Sequence, residues 1–421
     1  MAKPPASDRA PARPPVRAPH RACPICGGDR VERLHTQRFV LPEAHPLPAA
    51  YDVVCCDACG FVYADTPAGQ PEYDAYYSRD SKYADVNTGT GGGDLPWDDA
   101  RLRDTARTIA AHVVGRTGLA VDVGCGNGGL LKWLAREGFT ALAGVDPSPE
   151  CARAVERVAG VRGRVGWLSH LPDDVLGAEL GILSHVLEHV LDLRAATGAL
   201  ARLVRPGGRA YVEVPDATRF HAFVAAPFQD FNVEHINHFS PASLRNLLGA
   251  AGFTVEATGR TVVAASADVP YPALWAVAEH TGRHAPPVRD DELRPAVERY
   301  IAASRALVAE FDARLRAQLG GAPEVVVWGT GQTVRQLLST TCLADVRIAA
   351  FADGNAANQG KRLAGAPVLA PEALAEFPPY PLVVGSVVSQ SAIVARARAL
   401  GLRNPPVLLA PEPPPALQPD P

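Results

Sequence analysis

The segment Ala120-Val-Asp-Val-Gly-Cys-Gly-Asn-Gly-Gly129 constrains this chain more than any other stretch. An apolar strand runs into a glycine-rich turn, and the helical pattern LLKWLAREG follows at once. That order opens a parallel α/β unit with a nucleotide-type cradle at the turn. Gly124 and Gly126 let the backbone approach a ligand and adopt positive φ. The next strand-like run, ALAGVD, ends about twenty residues on at Asp146, where a carboxylate can grip a ribose diol. The alternation continues through CARAVERVAG, LGILSHV, ATGALARLV and GRAYVEVP. It predicts a parallel sheet with helices on both faces. A long helical segment over about 289–320 then leads into a second series, PEVVVWGTG, RIAAFAD and PLVVGSV.

At 421 residues the chain is too long for one ordinary core, so two or three domains are expected. Hydrophobic residues make up 47% and charged residues 20%, which describes a globular protein and not a disordered one. A formal net charge of -4 argues against a nucleic-acid partner, which favours a basic excess. No run of about 18 uncharged apolar residues occurs, so no membrane span is expected. The start, MAKPPASDRAPARPPVRAPHRA, has no apolar core of a secretory signal and reads as a disordered leader. A cytoplasmic location follows from that reading. In such a reducing compartment paired cysteines suggest metal ligands before disulfides.

Cys23-Pro-Ile-Cys26 and Cys56-Asp-Ala-Cys59 are two such pairs, each followed by glycine. Thiolates at i and i+3 chelate one edge of a tetrahedron, and two pairs close a four-cysteine site. A closed site leaves no place for water, so the metal is expected to be structural. Zinc is the commoner occupant, although four thiolates also suit iron. Cys55 reads as a spectator. The chain divides into a leader (1–20), a four-cysteine module (21–66), a connector (67–96) ending in TGTGGGD, a central domain (97–265), a C-terminal domain (266–410) and a tail (411–421).

The Asp-x-Gly-x-Gly-x-Gly form resembles the first motif of class I S-adenosylmethionine (SAM)-dependent methyltransferases, over roughly residues 115–255. The resemblance implies that SAM is the cofactor, with Asp122 near its methionyl ammonium, Gly124 and Gly126 against it and Asp146 on its ribose. GILSHVLEHV resembles the segment whose strand end and following loop line the active site. It brings His185 to the cofactor side, with a buried structural histidine as the equal reading, and His189 just past the strand's carboxyl end. The expected fold is therefore α/β: a Rossmann-like class I methyltransferase domain, an N-terminal zinc-binding module and a C-terminal Rossmann-like α/β domain.

That three-part layout is similar to the deoxysugar 3-C-methyltransferases, which act on nucleotide-linked 4-ketosugars, over residues 21 to about 405. Tyr76-Tyr-Ser, His189, Glu234-His235 within FNVEHINHFS, WGTGQTVRQLL and FADGNAANQGKRLAGAPVLAPEAL carry the likeness. It implies a nucleotide-sugar substrate and an enolate that attacks the SAM methyl. His235 and His189 would be base and carbonyl partner in either order, with Glu234 orienting an imidazole and Tyr76 near the substrate. One departure is Asn232, which stands where the family has a tyrosine. His238 reads as a capping or packing residue. In the C-terminal domain the turn Gly329–Thr333, with Asp353 beyond it, invites a dinucleotide reading but lacks a clear third glycine. The resemblance implies instead that this domain holds the substrate's nucleotide. Other readings of the same core are an O- or N-methyltransferase of another small molecule, an RNA methyltransferase, which the acidic balance opposes, and a SAM-sensing protein without turnover.

Overall fold

The computed structural model of the protein describes residues 16–79, 94–158, 160–266 and 269–411. Most of the leader, most of the TGTGGGD run and all but the first residue of the tail lie outside them.

Near the N-terminus β1 (Val31–Arg38), β2 (Ala50–Cys56) and β3 (Val62–Asp65) form an antiparallel meander, registered Val31↔Cys56 and Val54↔Tyr63. The expected leader overlaps the described residues at 16–20, where the chain is tied to this sheet. Arg17 bridges to Val31 in backbone pairing, and its guanidinium lies 2.8 Å from Asp52 and 2.7 Å from the buried Asp65. The His20 and Arg21 amides also converge on Asp65. A buried carboxylate needs those donors, which is why the segment is held.

The expected connector contains the helix α1 (Gln70–Arg79), and α2 (Pro96–His112) starts at its last residue and opens the central domain; Pro96 suits a first helical position, where its missing N–H costs no bond. The parallel core then follows as β4 (Leu119–Val123), α3 (Gly129–Arg136), β5 (Ala141–Asp146), α4 (Pro149–Glu156), β6 (Val161–Val165), β7 (Ala178–Ser184), α5 (Leu193–Leu203) and β8 (Val204–Pro215). A two-residue strand, β9 (Asn237–His238), leaves this domain to pair with β3. After α6 (Pro241–Ala250), β10 (Phe253–Ser266) and β11 (Val269–His280) close the sheet, in the order β10-β11-β8-β7-β4-β5-β6.

This sheet corrects the domain boundary drawn at 265. β11 lies between β10 and β8 and is antiparallel to both, so the central domain runs to residue 280. Pro270 and Pro272 near the start of β11 disguise it, since proline rarely enters a central strand.

The C-terminal domain has the sheet order β14-β15-β13-β12-β16-β17, with parallel pairs from β15 through β17. Its elements are α7 (Leu293–Leu319), β12 (Glu324–Trp328), α8 (Gln332–Thr340), β13 (Arg347–Ala352), β14 (Arg362–Leu363), β15 (Ala366–Leu369), β16 (Leu382–Val384), α9 (Gln390–Ala399) and β17 (Pro406–Val407). α7 joins two cores. Val297, Tyr300 and Ile301 pack with the first two sheets, whereas Phe311, Leu315 and Leu319 pack with the third.

The four-cysteine module is no separate body. Phe61, Tyr63 and Val53 share one apolar core with Leu183, Leu187 and Phe239 of the central domain. A segment this short buries too little on its own, so it borrows the core of its neighbour.

Candidate active site and thiolate cluster

The turn after β4 is built for close approach. Gly124, Gly126 and Gly128 all have positive φ. A Cβ on Gly124 would stand 2.8 Å from Val186 Cγ2, so only glycine lets the β7 loop lie against the turn. Asp146, at the end of β5, accepts the Gly126 amide on one oxygen and the Ser148 amide on the other, each at 2.9 Å. Both bonds hold the two turns together, and each oxygen keeps a second lone pair for a diol. Asp122 is buried, and burial together with the charge of Asp146 pushes its carboxyl up to about 7. An arriving cation would relieve that charge. These residues therefore fit SAM, whose ammonium and ribose suit Asp122 and Asp146 respectively.

His185 behaves differently from a cofactor ligand. It adopts a left-handed backbone, φ 56°, and its ring is clamped between two buried carboxylates. Nδ1 lies 3.2 Å from Glu188 and Nε2 3.3 Å from Glu213. Burial opposes charging the ring, but the bonds to Glu188 and Glu213 outweigh it and push the imidazole up to about 9. The two carboxylates thus tie the His185 ring into the end of β7.

Four other residues singled out in the sequence come together just beyond this strand end. The Tyr76 hydroxyl donates to Glu234 at 2.5 Å. The rings of His189 and His235 meet edge to face with centroids 4.8 Å apart. Tyr77 stands edge-on to His189 at 6.3 Å, and His45 lies 5.5 Å from Tyr76. Glu188 approaches His189 Nε2 to 3.9 Å. His45 and Glu188 were not among the residues picked from sequence, and Tyr77 entered only as the neighbour of Tyr76 in the Tyr-Tyr-Ser string. Glu188 sat inside the quoted SHVLEHV string, but nothing in its spacing distinguished it from a solvated glutamate.

The loop that carries Glu234 and His235 is fixed by its own side chains. Asn232 Oδ1 accepts the amides of Glu234 and His235 at 2.8 and 2.7 Å, and Tyr51 donates to the Asn232 carbonyl at 2.9 Å. The asparagine that departs from the family pattern thus shapes the loop backbone. Asn237 Nδ2 holds the carbonyls of Leu187 and Val190, at 2.8 and 2.7 Å. Arg21, half-buried beneath, donates to Ala64 O, Leu191 O, Ile236 O and Asn237 Oδ1 and stacks on Tyr63. His238 is a core residue: it packs on Phe231 and Phe220, and burial pushes its imidazole down to about 3.

The four cysteine sulfurs converge as their spacing suggests. Cys23 and Cys59 are 3.6 Å apart, Cys26 and Cys56 3.5 Å. A tetrahedral zinc with Zn–S bonds of about 2.3 Å places its sulfurs about 3.8 Å apart, so the donor set fits a closed thiolate site. Gly27 and Gly60, which follow the two pairs, take the positive φ that turns each knuckle. Cys55 points elsewhere, toward Gly60 O, and burial raises its thiol to about 12.

In the C-terminal domain Asp353 is occupied by its own turn. It accepts from the Thr330 amide at 3.1 Å, from the Thr330 hydroxyl, and from Asn358 at 3.1 Å. Gln332 and Gln336 reach across to the carbonyls of Phe228 and Gln229, upstream of the Glu234-His235 loop. Among the described residues no helix is long and apolar enough to cross a membrane.

A family model described as a methyltransferase domain matches residues 102–258. The ubiquinone biosynthesis O-methyltransferase of Xylella fastidiosa is 30% identical over 151 residues, which is 32% of this chain and 61% of that protein. The human mitochondrial protein of the same name is 26% identical over 201 residues, 43% of this chain and 53% of its own length. The chain thus spans less than two thirds of both relatives. Among solved structures, 1,6-didemethyltoxoflavin-N1-methyltransferase of Burkholderia thailandensis, with 1,6-didemethyltoxoflavin and S-adenosylhomocysteine bound, is 24% identical. It covers 52% of this chain and 95% of its own, with a TM-score of 0.38. With the sheet order and glycine turn described above, residues 102–258 form a methyltransferase domain of the class I SAM-dependent fold.

Proposed function

We propose that this protein transfers the methyl group of SAM to a small-molecule acceptor, and that Tyr76, His189, Glu234 and His235 handle the acceptor's proton. The observation that carries the reading is their convergence beside the loop that packs on the glycine turn. SAM supplies an electrophilic methyl; the acceptor must lose a proton and present its electron pair. A hydrogen-bonded Tyr–Glu pair and two imidazoles in one partly buried spot can take that proton and hold the resulting anion. Zinc in the four-thiolate site would brace the first sheet against α7 and the central domain.

The favoured acceptor is a nucleotide-linked 4-ketosugar methylated at the carbon beside its ketone. The motif strings along residues 21–405 support it, as does the placement of α8 against the loop that leads to His235. A second reading is O-methylation, because the relatives named above are ubiquinone biosynthesis O-methyltransferases and Asn232 stands where the sugar family has tyrosine. Incubation with a dTDP-4-keto-6-deoxyhexose in deuterated water, without SAM, separates the two. Deuterium uptake beside the ketone, followed by methyl gain on adding SAM, is expected for carbon methylation. No exchange and no methyl gain, in protein that binds SAM, rejects the ketosugar and leaves oxygen acceptors to be screened.

A further inference from the structure

We propose that Glu188, His189 and His235 form a binding site for a divalent transition-metal ion, separate from the four thiolates. One ligand atom from each residue lies within 4.8 Å of the others. An ion with bonds of about 2.1 Å holds neighbouring donors about 3 Å apart and opposite ones about 4.2 Å apart. The three donors therefore stand close to the spacing such an ion needs. Two imidazoles and a carboxylate suit manganese, iron, cobalt or zinc better than magnesium or calcium.

The backbone that carries the three donors is already locked. Glu188 and His189 sit on a 3₁₀ turn, Leu187–His189, at the carboxyl end of β7. His235 comes from the neighbouring loop, whose Ile236 amide donates to the Glu188 carbonyl at 2.8 Å. Asn237 ties that loop to the carbonyls on both sides of the turn. Such stapling presents ligands without an ordering cost when the ion arrives.

Glu188 supplies the second, independent observation. It is only 1% exposed, and its Oε2 is buried with no hydrogen-bond partner. Its Oε1 lies 3.2 Å from His185 Nδ1, and the other face of that ring is 3.3 Å from Glu213, so Glu188 and Glu213 share one buried ring between them. Buried carboxylates are retained where a cation compensates them. Three protein donors would also leave open positions on the ion, unlike the closed thiolate site. Resting on the methyltransferase reading, those positions would take an oxygen of the acceptor and polarise it. With both imidazoles on the ion, the acceptor's proton goes to the Tyr76–Glu234 pair.

The test uses the full chain loaded with zinc and titrated with Mn²⁺, which has little affinity for thiolates. Bound Mn²⁺ is read from the loss of the free-ion paramagnetic resonance signal. The expected result is one Mn²⁺ per chain, lost in His189→Ala and in His235→Ala, with zinc content and SAM binding retained in both. If either variant fails to bind SAM, the wild-type spectrum with Co²⁺ decides: visible bands of a nitrogen–oxygen site without thiolate charge transfer support the site. No Mn²⁺ or Co²⁺ bound up to about 1 mM, or binding that survives both substitutions, overturns it. Metal bound without methyl transfer would keep the site and remove the methyltransferase reading instead.

Discussion

Replacing Arg21 by methionine removes the guanidinium that joins the first sheet to the His235 loop. Methionine keeps much of the volume, so the loss is chiefly polar. Among the described residues, Leu191 O and Asn237 Oδ1 receive their only hydrogen bonds from Arg21, at 2.7 and 2.9 Å. Ile236 O keeps the Ala64 amide, at 2.9 Å, and so suffers less. Two orphaned, partly buried acceptors cost about 1–3 kcal/mol each, and the stacking on Tyr63 adds roughly 1 kcal/mol. The expense of burying a charge, visible in the lowered Arg21 pKa, is recovered and offsets part of this. The net expectation is a loss of about 3 kcal/mol, or a Tm lower by roughly 6–12 °C at the scale of a domain of this size. Arg21→Lys should fall between, because an ammonium cannot serve four acceptors as a planar fork does. Differential scanning calorimetry on zinc-loaded protein measures the shift, and methyl transfer should fall about 100-fold as the His235 loop loosens. A Tm within about 2 °C of wild type, with methyl transfer unchanged, would refute the staple.

Other expectations follow from single features. Gly60→Ala forces a side chain onto the Asp290 carbonyl oxygen at a left-handed φ of 78°, so it should lower zinc retention, measured by chelator-coupled release. Gly124→Ala meets Val186 at φ 79° and should weaken SAM binding about tenfold or more in calorimetric titration while leaving zinc content unchanged. Stripping the metal from the four thiolates should lower the Tm of the central domain as well, because both share one core; a Tm unaffected by chelation would contradict that. Tyr76→Phe and Glu234→Gln should each reduce kcat by about 10²–10⁴ and spare SAM affinity. Equal losses in SAM binding would instead mark them as structural.

Local signals were legible and long-range ones were not. β4, β5 and their glycine turn could be read because each is contiguous and periodic, and the paired cysteines because chelation fixes their spacing. Tyr76, His189, Glu234 and His235 came from motif strings, and the fold carries them to one place through β7 and the β9 pairing. The Arg21 staple was invisible because its partners lie up to 216 residues away, and nothing local sets this arginine apart from those in the leader just before it. The clamp on His185 could not be read from sequence because Glu213, its second partner, sits on another strand. β11 was missed because its prolines lie where backbone donors are not needed for pairing, which the sequence alone does not reveal. Asn232 looked like a lost catalytic group, yet its side chain holds the loop in a turn.

The most direct test of the central claim is transfer of labelled methyl from SAM across a panel of ketosugar, phenol and amine acceptors, comparing wild type with the Glu234→Gln/His235→Asn double variant. The account predicts methylation of one acceptor class by the wild type and at least a 100-fold loss in the double variant, with SAM binding intact in both. Methyl transfer that the double variant carries out as fast as wild type would contradict it.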